Sequence, residues 1–482
     1  MKRKFFTNLL FLIGLNLLIK PFWVFGIDRV VQNSVGSAEY GLYFSLFNLS
    51  VLFNIILDIG LTNFNNRNIA QHKQLLPKYF SNIVVLKFLL AFVYAIITIL
   101  AGIVVGIDMH GFQLLLLLIF NQFLLSFILY FRSNISGLQK FKIDSLISVL
   151  DRALMIIIIG MLLWTNITKG QFKIQWFVYA QTFAYFITGL LAFFIVLYHA
   201  KTLKFRINKP FLIYTIKKTF PFALLVLLMS FYNRFDAVLL VSLLDNGEVQ
   251  AGIYAQSFRL LDAVSQLAIL FASLLLPIFS NMIIKKKNVS DLVQFSTFLL
   301  LIPSLIFVIP SIIYNSEIIS ILYTDNNSAY SADIFVVLIS AFIPMSTTYI
   351  FGTLLTANGN LKHLNIIAFF GVVINLVLNL ILIPKFKAQG AAITALSTQI
   401  ITAILQFVFA IYIFKIKFEI KAIVKSVFFV IVYLLLAKYS QKLFLPWFYS
   451  YLFSMFVGFI LAVSLGLINI KLMIRILKGY EN

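Results

Sequence analysis

The chain is dominated by apolar runs, each long enough to cross a bilayer and separated from the next by a short polar break. They fall at 9–26, 40–61, 79–106, 112–131, 145–164, 176–198, 219–243, 252–282, 293–314, 332–356, 363–384, 390–414, 422–443 and 447–471. A helical span needs about 20 such residues, so the pattern predicts an all-α integral membrane protein of about fourteen transmembrane helices. Each run is a continuous apolar stretch rather than a short alternation, and a bilayer cannot satisfy exposed strand edges, so helices rather than a barrel are expected. Composition agrees: 62% of residues are hydrophobic, 11% are charged and the mean hydropathy is +1.01. A soluble domain is about half apolar and a quarter charged. The 482 residues leave almost no length for one.

The net charge of +22 is carried by short connections, not by one stripe, so it reads as contact with anionic headgroups and not as a nucleic-acid surface. Counting Lys and Arg on the two sides of the span pattern gives about 26 in the termini and even-numbered connections against about 7 opposite. Both termini are therefore expected in the cytoplasm, in a multi-pass protein of a bacterial inner membrane. The basic start Met1-Lys2-Arg3-Lys4 precedes an apolar run with no small-residue cleavage site, which reads as a retained first helix. The absence of cysteine removes disulfides and thiol chemistry.

An internal repeat is visible. Gly36-Ser37-Ala38-Glu39-Tyr40-Gly41-Leu42-Tyr43 returns as Gly247-Glu248-Val249-Gln250-Ala251-Gly252-Ile253-Tyr254, both of the form G-x4-G-[LI]-Y. A weaker echo pairs Gly137-Leu138-Gln139-Lys140 with Gly359-Asn360-Leu361-Lys362. An even number of spans separates the copies, so two lobes of like orientation are expected, related by an axis along the membrane normal and flanking a cavity. The expected division is an N lobe at 1–198, a basic cytoplasmic linker at 199–218, a C lobe at 219–414, and two appended helices with a tail at 415–482.

Three blocks also resemble a known family. They are Gly36 to Tyr43 with Asp58-Ile59-Gly60-Leu61 and Arg67-Asn68-Ile69-Ala70; Gly252-Ile253-Tyr254-Ala255 with Arg259-Leu260; and Asn375 to Asn379 with Ile383-Pro384 and Gln389-Gly390-Ala391-Ala392. In order and spacing they are similar to the polysaccharide-exporter branch of the MOP superfamily, the Wzx-type flippases. That resemblance implies two pseudo-symmetric six-helix lobes that rock for alternating access, and a polyprenyl-diphosphate-linked oligosaccharide as cargo. Membrane lipids, a glycan polymerase and assembly proteins would be its partners, in O-antigen or capsule synthesis.

Charges inside the spans are costly and so mark function by default. A diphosphate suits the fixed bidentate donors of arginine. Arg259 is the first candidate for a cationic substrate site and Arg234 the second, with Asp262 and Asp236 close by. Each arginine could instead pair with its neighbouring aspartate and only lock helices together. The resemblance, which puts Arg259 on a cavity-facing helix, favours the functional reading there. Lys20, before Pro21, is the third candidate, at a repeat-related depth; it could equally snorkel to the interface. Asp58, with Asp262 and Asp236 behind it, is the candidate for ion coupling, although a polar helix end is the plainer reading. Asp151-Arg152 and Lys87 read as structural, the Lys87 stem reaching the cytoplasmic surface. Buried amides such as Asn48, Asn54, Asn121, Gln122, Gln256, Gln266 and Gln399 read mostly as glue between helices.

The four histidines, His72, His110, His199 and His363, fall in connections or at helix ends. There is no H-E-x-x-H and no nucleotide-binding G-x-x-x-x-G-K-[ST], so no metal site, cofactor or catalytic residue is expected. The leading expectation is a flippase and not an enzyme. The alternatives are a MATE-like exporter of small solutes or drugs, whose cavity would need more carboxylates, and a membrane enzyme or scaffold of glycan assembly.

Overall fold

The computed structural model describes residues 19, 21–165, 171–200, 209–324, 328–416, 418–443 and 445–468. Among them the chain is helical throughout: α1 Arg29–Leu52, α2 Leu61–Gln71, α3 Leu76–Val105, α4 Met109–Gly137, α5 Phe141–Trp164, α6 Ile174–Ala200, α7 Lys209–Leu243, α8 Gly247–Ile284, α9 Ser290–Ile313, α10 Asn315–Leu322, α11 Ser328–Ser340, α12 Phe342–Ala357, α13 Leu361–Phe414, α14 Ile420–Ser440 and α15 Trp447–Ser464. Eleven described segments are long and apolar enough to cross a membrane. The longest, α13, turns at Lys387 (φ 54°) and so holds two of the expected spans. The two expected at 9–26 and 40–61 complete the set of about fourteen: the first lies mostly outside the described residues, and the second is α1 extended by a 3-10 turn at Asn54–Leu57.

The chain forms two compact units, Met1–Ala255 and Gln256–Asn482. α7, expected to open the second lobe, packs against α1 within the first unit. In that unit α4 lies against α1, α2, α3, α5 and α6. The apolar effect gives little drive to join helices in lipid, so packing and polar bonds must do so. Tyr94 Oη donates to the Ser50 carbonyl (2.7 Å), Asn65 Nδ2 to Ser133 Oγ (2.8 Å) and Asn121 Nδ2 to Gln181 Oε1 (3.3 Å). Asn54 donates to Gln122. These are the bonds expected of amides acting as glue.

The G-x4-G repeat has a structural meaning that composition does not disclose. Gly36 sits at φ +81°, a kink inside α1; Gly247, at the turn from α7 into α8, needs space, since a Cβ there would lie 2.4 Å from the Leu240 carbonyl oxygen. The second glycines meet each other. A Cβ on Gly41 would lie 1.8 Å from the Glu248 carbonyl oxygen, and one on Gly252 would lie 1.9 Å from that of Ser37. Ser37 and Glu248 hold the same place in the two copies, so the contact is reciprocal. Gln32 Nε2 fixes it by donating to the Gly252 carbonyl (2.9 Å).

The weaker echo does not align residue for residue; its two ends share a common helix C-terminal turn. At the end of α4 the amides of Leu138, Gln139 and Lys140 bond the carbonyls of Asn134, Ser136 and Ile135. At the end of α12 the amides of Asn358, Gly359 and Asn360 bond those of Leu354, Thr356 and Leu355 in the same pattern. The matching residues are therefore Gln139 and Gly359, both left-handed (φ 63° and 79°), and not Gly137 and Gly359.

In the second unit the turn inside α13 explains the Ile383-Pro384 to Gln389-Gly390 block. A Cβ on Gly390 would lie 2.3 Å from the Leu382 carbonyl oxygen, so only glycine lets the chain double back there. Tyr330 Oη donates to the Phe386 carbonyl (3.4 Å) and accepts from the Gln389 amide (3.4 Å), tying the turn to α11. The appended α14 and α15 dock on α9 through tyrosines: Tyr433 Oη donates to the Ile306 carbonyl (2.9 Å), and Tyr314 and Ser440 hydroxyls meet at 2.8 Å. Gly458 leaves room for the Tyr433 ring, which a Cβ would approach to 2.6 Å.

Candidate functional site

Pro21 is followed by a π-helical stretch, Trp23–Asp28, in line with the distortion the proline predicts. Lys20 lies outside the described residues. Asp28 closes the π-helical stretch at 3% exposure, and its carboxylate accepts from Tyr40 Oη at 2.9 Å. Sequence reasoning missed Asp28. Its signal was an aspartate just after the first apolar run, twelve residues before the tyrosine that precedes Gly41.

Asp236 has a similar fastening: 1% exposed on α7, it accepts from Tyr254 Oη at 3.1 Å, and Tyr254 is the last residue of the second G-x4-G copy. Each glycine motif thus carries a tyrosine that clasps a buried aspartate of the preceding helix. Arg234, half-buried on α7, donates from Nη1 to Asn48 Oδ1 on α1 at 3.4 Å. Asn48 in turn donates to the Phe44 carbonyl (2.7 Å), which orients its oxygen toward the guanidinium. In the second unit Arg259 and Asp262 are both half-buried and lie one turn apart on α8.

Asp58 and Lys87 come together in the first unit. α1 ends at Leu52, a 3-10 turn follows to Leu57, and Ile59 and Gly60 take positive φ (43° and 79°) before α2 begins. Asp58 caps α2, accepting from the Thr62 amide (3.2 Å) and the Thr62 hydroxyl. Lys87 Nζ lies 3.5 Å from its Oδ1 and donates to the Leu57 carbonyl (2.9 Å) and Ser126 Oγ (2.7 Å). The lysine is 1% exposed, so its stem does not reach the cytoplasmic surface as expected. The carbonyl released by the helix break offers it a nearer partner. Asp151 and Arg152 behave structurally: Arg152 Nε is 4.0 Å from Asp151 Oδ2, and its guanidinium lies 5.0 Å from the Trp23 ring centroid. Among the described residues no group of three or more His, Cys, Asp or Glu could hold a metal ion.

A sequence model for one family, described as polysaccharide biosynthesis protein, matches residues 7–283, more than half of the chain. The chain belongs to this family. No curated protein matches it in sequence. In fold this family member is similar to the lipid II flippase MurJ in an inward closed conformation, at 17% identity, TM-score 0.65, and coverage of 94% of this chain and 97% of that one. It is also similar to an inward-facing multidrug resistance MATE family transporter of the MOP superfamily (15% identity, TM-score 0.61, 81% and 94% covered). A third likeness is to a MOP superfamily transporter from Pyrococcus furiosus, described as having a binding pocket of reverse polarity (13% identity, TM-score 0.57, 85% and 94% covered). The member is a multi-pass membrane protein with the MOP fold, and the fold neighbours named here are described as a flippase and transporters.

Proposed function

We propose that the protein moves a polyprenyl-diphosphate-linked oligosaccharide from the cytoplasmic to the outer leaflet of a bacterial inner membrane by alternating access, with both termini in the cytoplasm. The observation that carries the reading is a member of a polysaccharide biosynthesis family holding half-buried arginines, Arg234 and Arg259, on apolar membrane helices. A guanidinium on a membrane helix is costly and marks function by default, and a diphosphate is the anion that glycan carriers present. Arg259 is the first candidate to bind it, Arg234 the second and Lys20 the third. The prenyl tail stays in lipid, and the energy comes from an ion gradient or the membrane potential.

The test is lipid extraction from a strain lacking the protein. Accumulation of a polyprenyl-linked oligosaccharide that wild type relieves and Arg259→Ala does not supports the reading. No accumulation, with a change in sensitivity to cationic drugs, points to a MATE-like exporter instead.

A further inference from the structure

We propose that Asp151 and Arg152 form, within the first unit, a subsite for the sugar hydroxyls of the cargo, separate from the arginines assigned to its diphosphate; this rests on the transport reading above. The contacts that fasten the two residues also preorganise them. The Arg152 guanidinium lies 5.0 Å from the Trp23 ring centroid, and Trp23 is itself stacked on Phe177 of α6 (5.8 Å between centroids, 21° between planes). A guanidinium held against an indole keeps its in-plane N–H donors for other partners. Beside it a chain of polar groups joins three helices. Asn121 Nδ2 of α4 donates to Gln181 Oε1 of α6 (3.3 Å), Gln181 Nε2 donates to Tyr185 Oη (3.2 Å), and that hydroxyl is within hydrogen-bonding reach of Arg152 on α5. Asn121, Gln181 and Tyr185 are buried. Asn121, Arg152 and Tyr185 each lie near the middle of their helices, the depth at which transporters bind cargo.

The pair is turned away from lipid. The large apolar side chains that α5 leaves exposed, Leu146, Ile157, Met161 and Trp164, share one face of the helix. Arg152 sits about 140° round from that face. Its side chain is nonetheless 31% exposed and that of Asp151 is 12% exposed, so a ligand can reach both. Arg152 Nε stands 4.0 Å from Asp151 Oδ2, too far for a hydrogen bond between them. A hydroxyl placed between them serves both, accepting from the guanidinium and donating to the carboxylate. Neighbouring hydroxyls on a sugar ring offer that pattern repeatedly. A diphosphate offers acceptors alone and would meet the carboxylate as a like charge. The pair carries no net charge, so what it selects is hydroxyls. Asn121 Oδ1, at the buried end of the supporting chain, has no hydrogen-bond partner among the described residues. Buried acceptors are rarely left open in a purely structural network. Arg152 and Asp151 are thus the contact residues, and Trp23, Tyr185 and Gln181 position the guanidinium.

The test displaces a fluorescent polyprenyl diphosphate from the full-length protein in lipid nanodiscs with two competitors: bare polyprenyl diphosphate, and the polyprenyl-linked oligosaccharide extracted from a strain lacking the protein. Wild type should prefer the glycosylated carrier by about tenfold or more. Arg152→Lys and Asp151→Asn should each remove most of that preference while leaving the affinity for the bare carrier within about twofold. Tyr185→Phe keeps the ring, removes only the hydroxyl and should fall between. Loss of structure cannot mimic this result, because it weakens both competitors together, as Arg259→Ala should. A wild type without preference overturns the subsite while the flippase reading stands. So does a preference that all three variants keep, or one that Arg152→Lys and Tyr185→Phe both lose together with the bare carrier. A strain that accumulates no such oligosaccharide, or a wild-type protein that does not bind the fluorescent carrier, overturns the cargo reading and the subsite with it.

Discussion

At the scale of single residues, the polar groups of the first unit make predictions that stability measurements can check. Replacing Lys87 by Met leaves Asp58 without its ammonium and the Leu57 carbonyl with only the longer bond from the Ser126 hydroxyl (3.3 Å). Breaking a buried pair from one side costs about 3–5 kcal/mol, whereas neutralising both sides costs far less. The half-exposed acid places the expected loss at the low end of that range. Lys87→Met should therefore lower the melting temperature of the purified protein, and the double variant with Asp58→Asn should recover most of the loss; a double variant no better than the single would remove the pairing from the account. Tyr254→Phe takes a donor from the buried Asp236 carboxylate and should cost about 1–3 kcal/mol. Gln139 offers the opposite sign. It occupies a left-handed position that glycine fills in the equivalent turn, so Gln139→Gly should stabilise by about 1 kcal/mol in the same assay.

At the scale of elements, the positions that matter are those where backbone meets backbone. Gly41 and Gly252 admit the opposing carbonyls so closely that Gly41→Ala or Gly252→Ala must push α1 and the start of α8 apart. Overpacking of this kind costs about 1–3 kcal/mol, read as lower melting temperature and faster proteolysis near the 244–247 turn. The repeat was legible in the sequence because both copies keep the same spacing. That the second glycines touch each other was not, since spacing along a chain carries no information about which copy packs on which. The turn within α13 was likewise legible as a motif but not as a cause, which lies in the Leu382 carbonyl opposite Gly390. Helix spans could be placed because lipid imposes one length and one polarity on them. The break at Asp58-Ile59-Gly60 was hidden inside such a span. With it was hidden the partner of Lys87, which in an unbroken helix would have no free carbonyl to reach.

At the scale of the whole molecule, the sequence shows its class plainly and its chemistry only in outline. The membrane embedding, the MOP fold and the polysaccharide biosynthesis family all follow from apolar runs and three spaced motifs. Candidate site residues were found where a charge stands out against lipid, as Arg234, Arg259 and Asp58 do; Asp28 escaped because it lies next to the polar break after the first span. The central claim is cationic recognition of a diphosphate-linked glycan during transport, and the most direct measurement is flipping of a fluorescent polyprenyl-diphosphate sugar in proteoliposomes. Wild type should flip the probe, Arg259→Ala should slow it by tenfold or more, about 1.4 kcal/mol of lost interaction, and Arg259→Lys should fall between. A wild-type protein that leaves the probe in place, or an Arg259→Ala variant that flips it at the wild-type rate, would contradict the account.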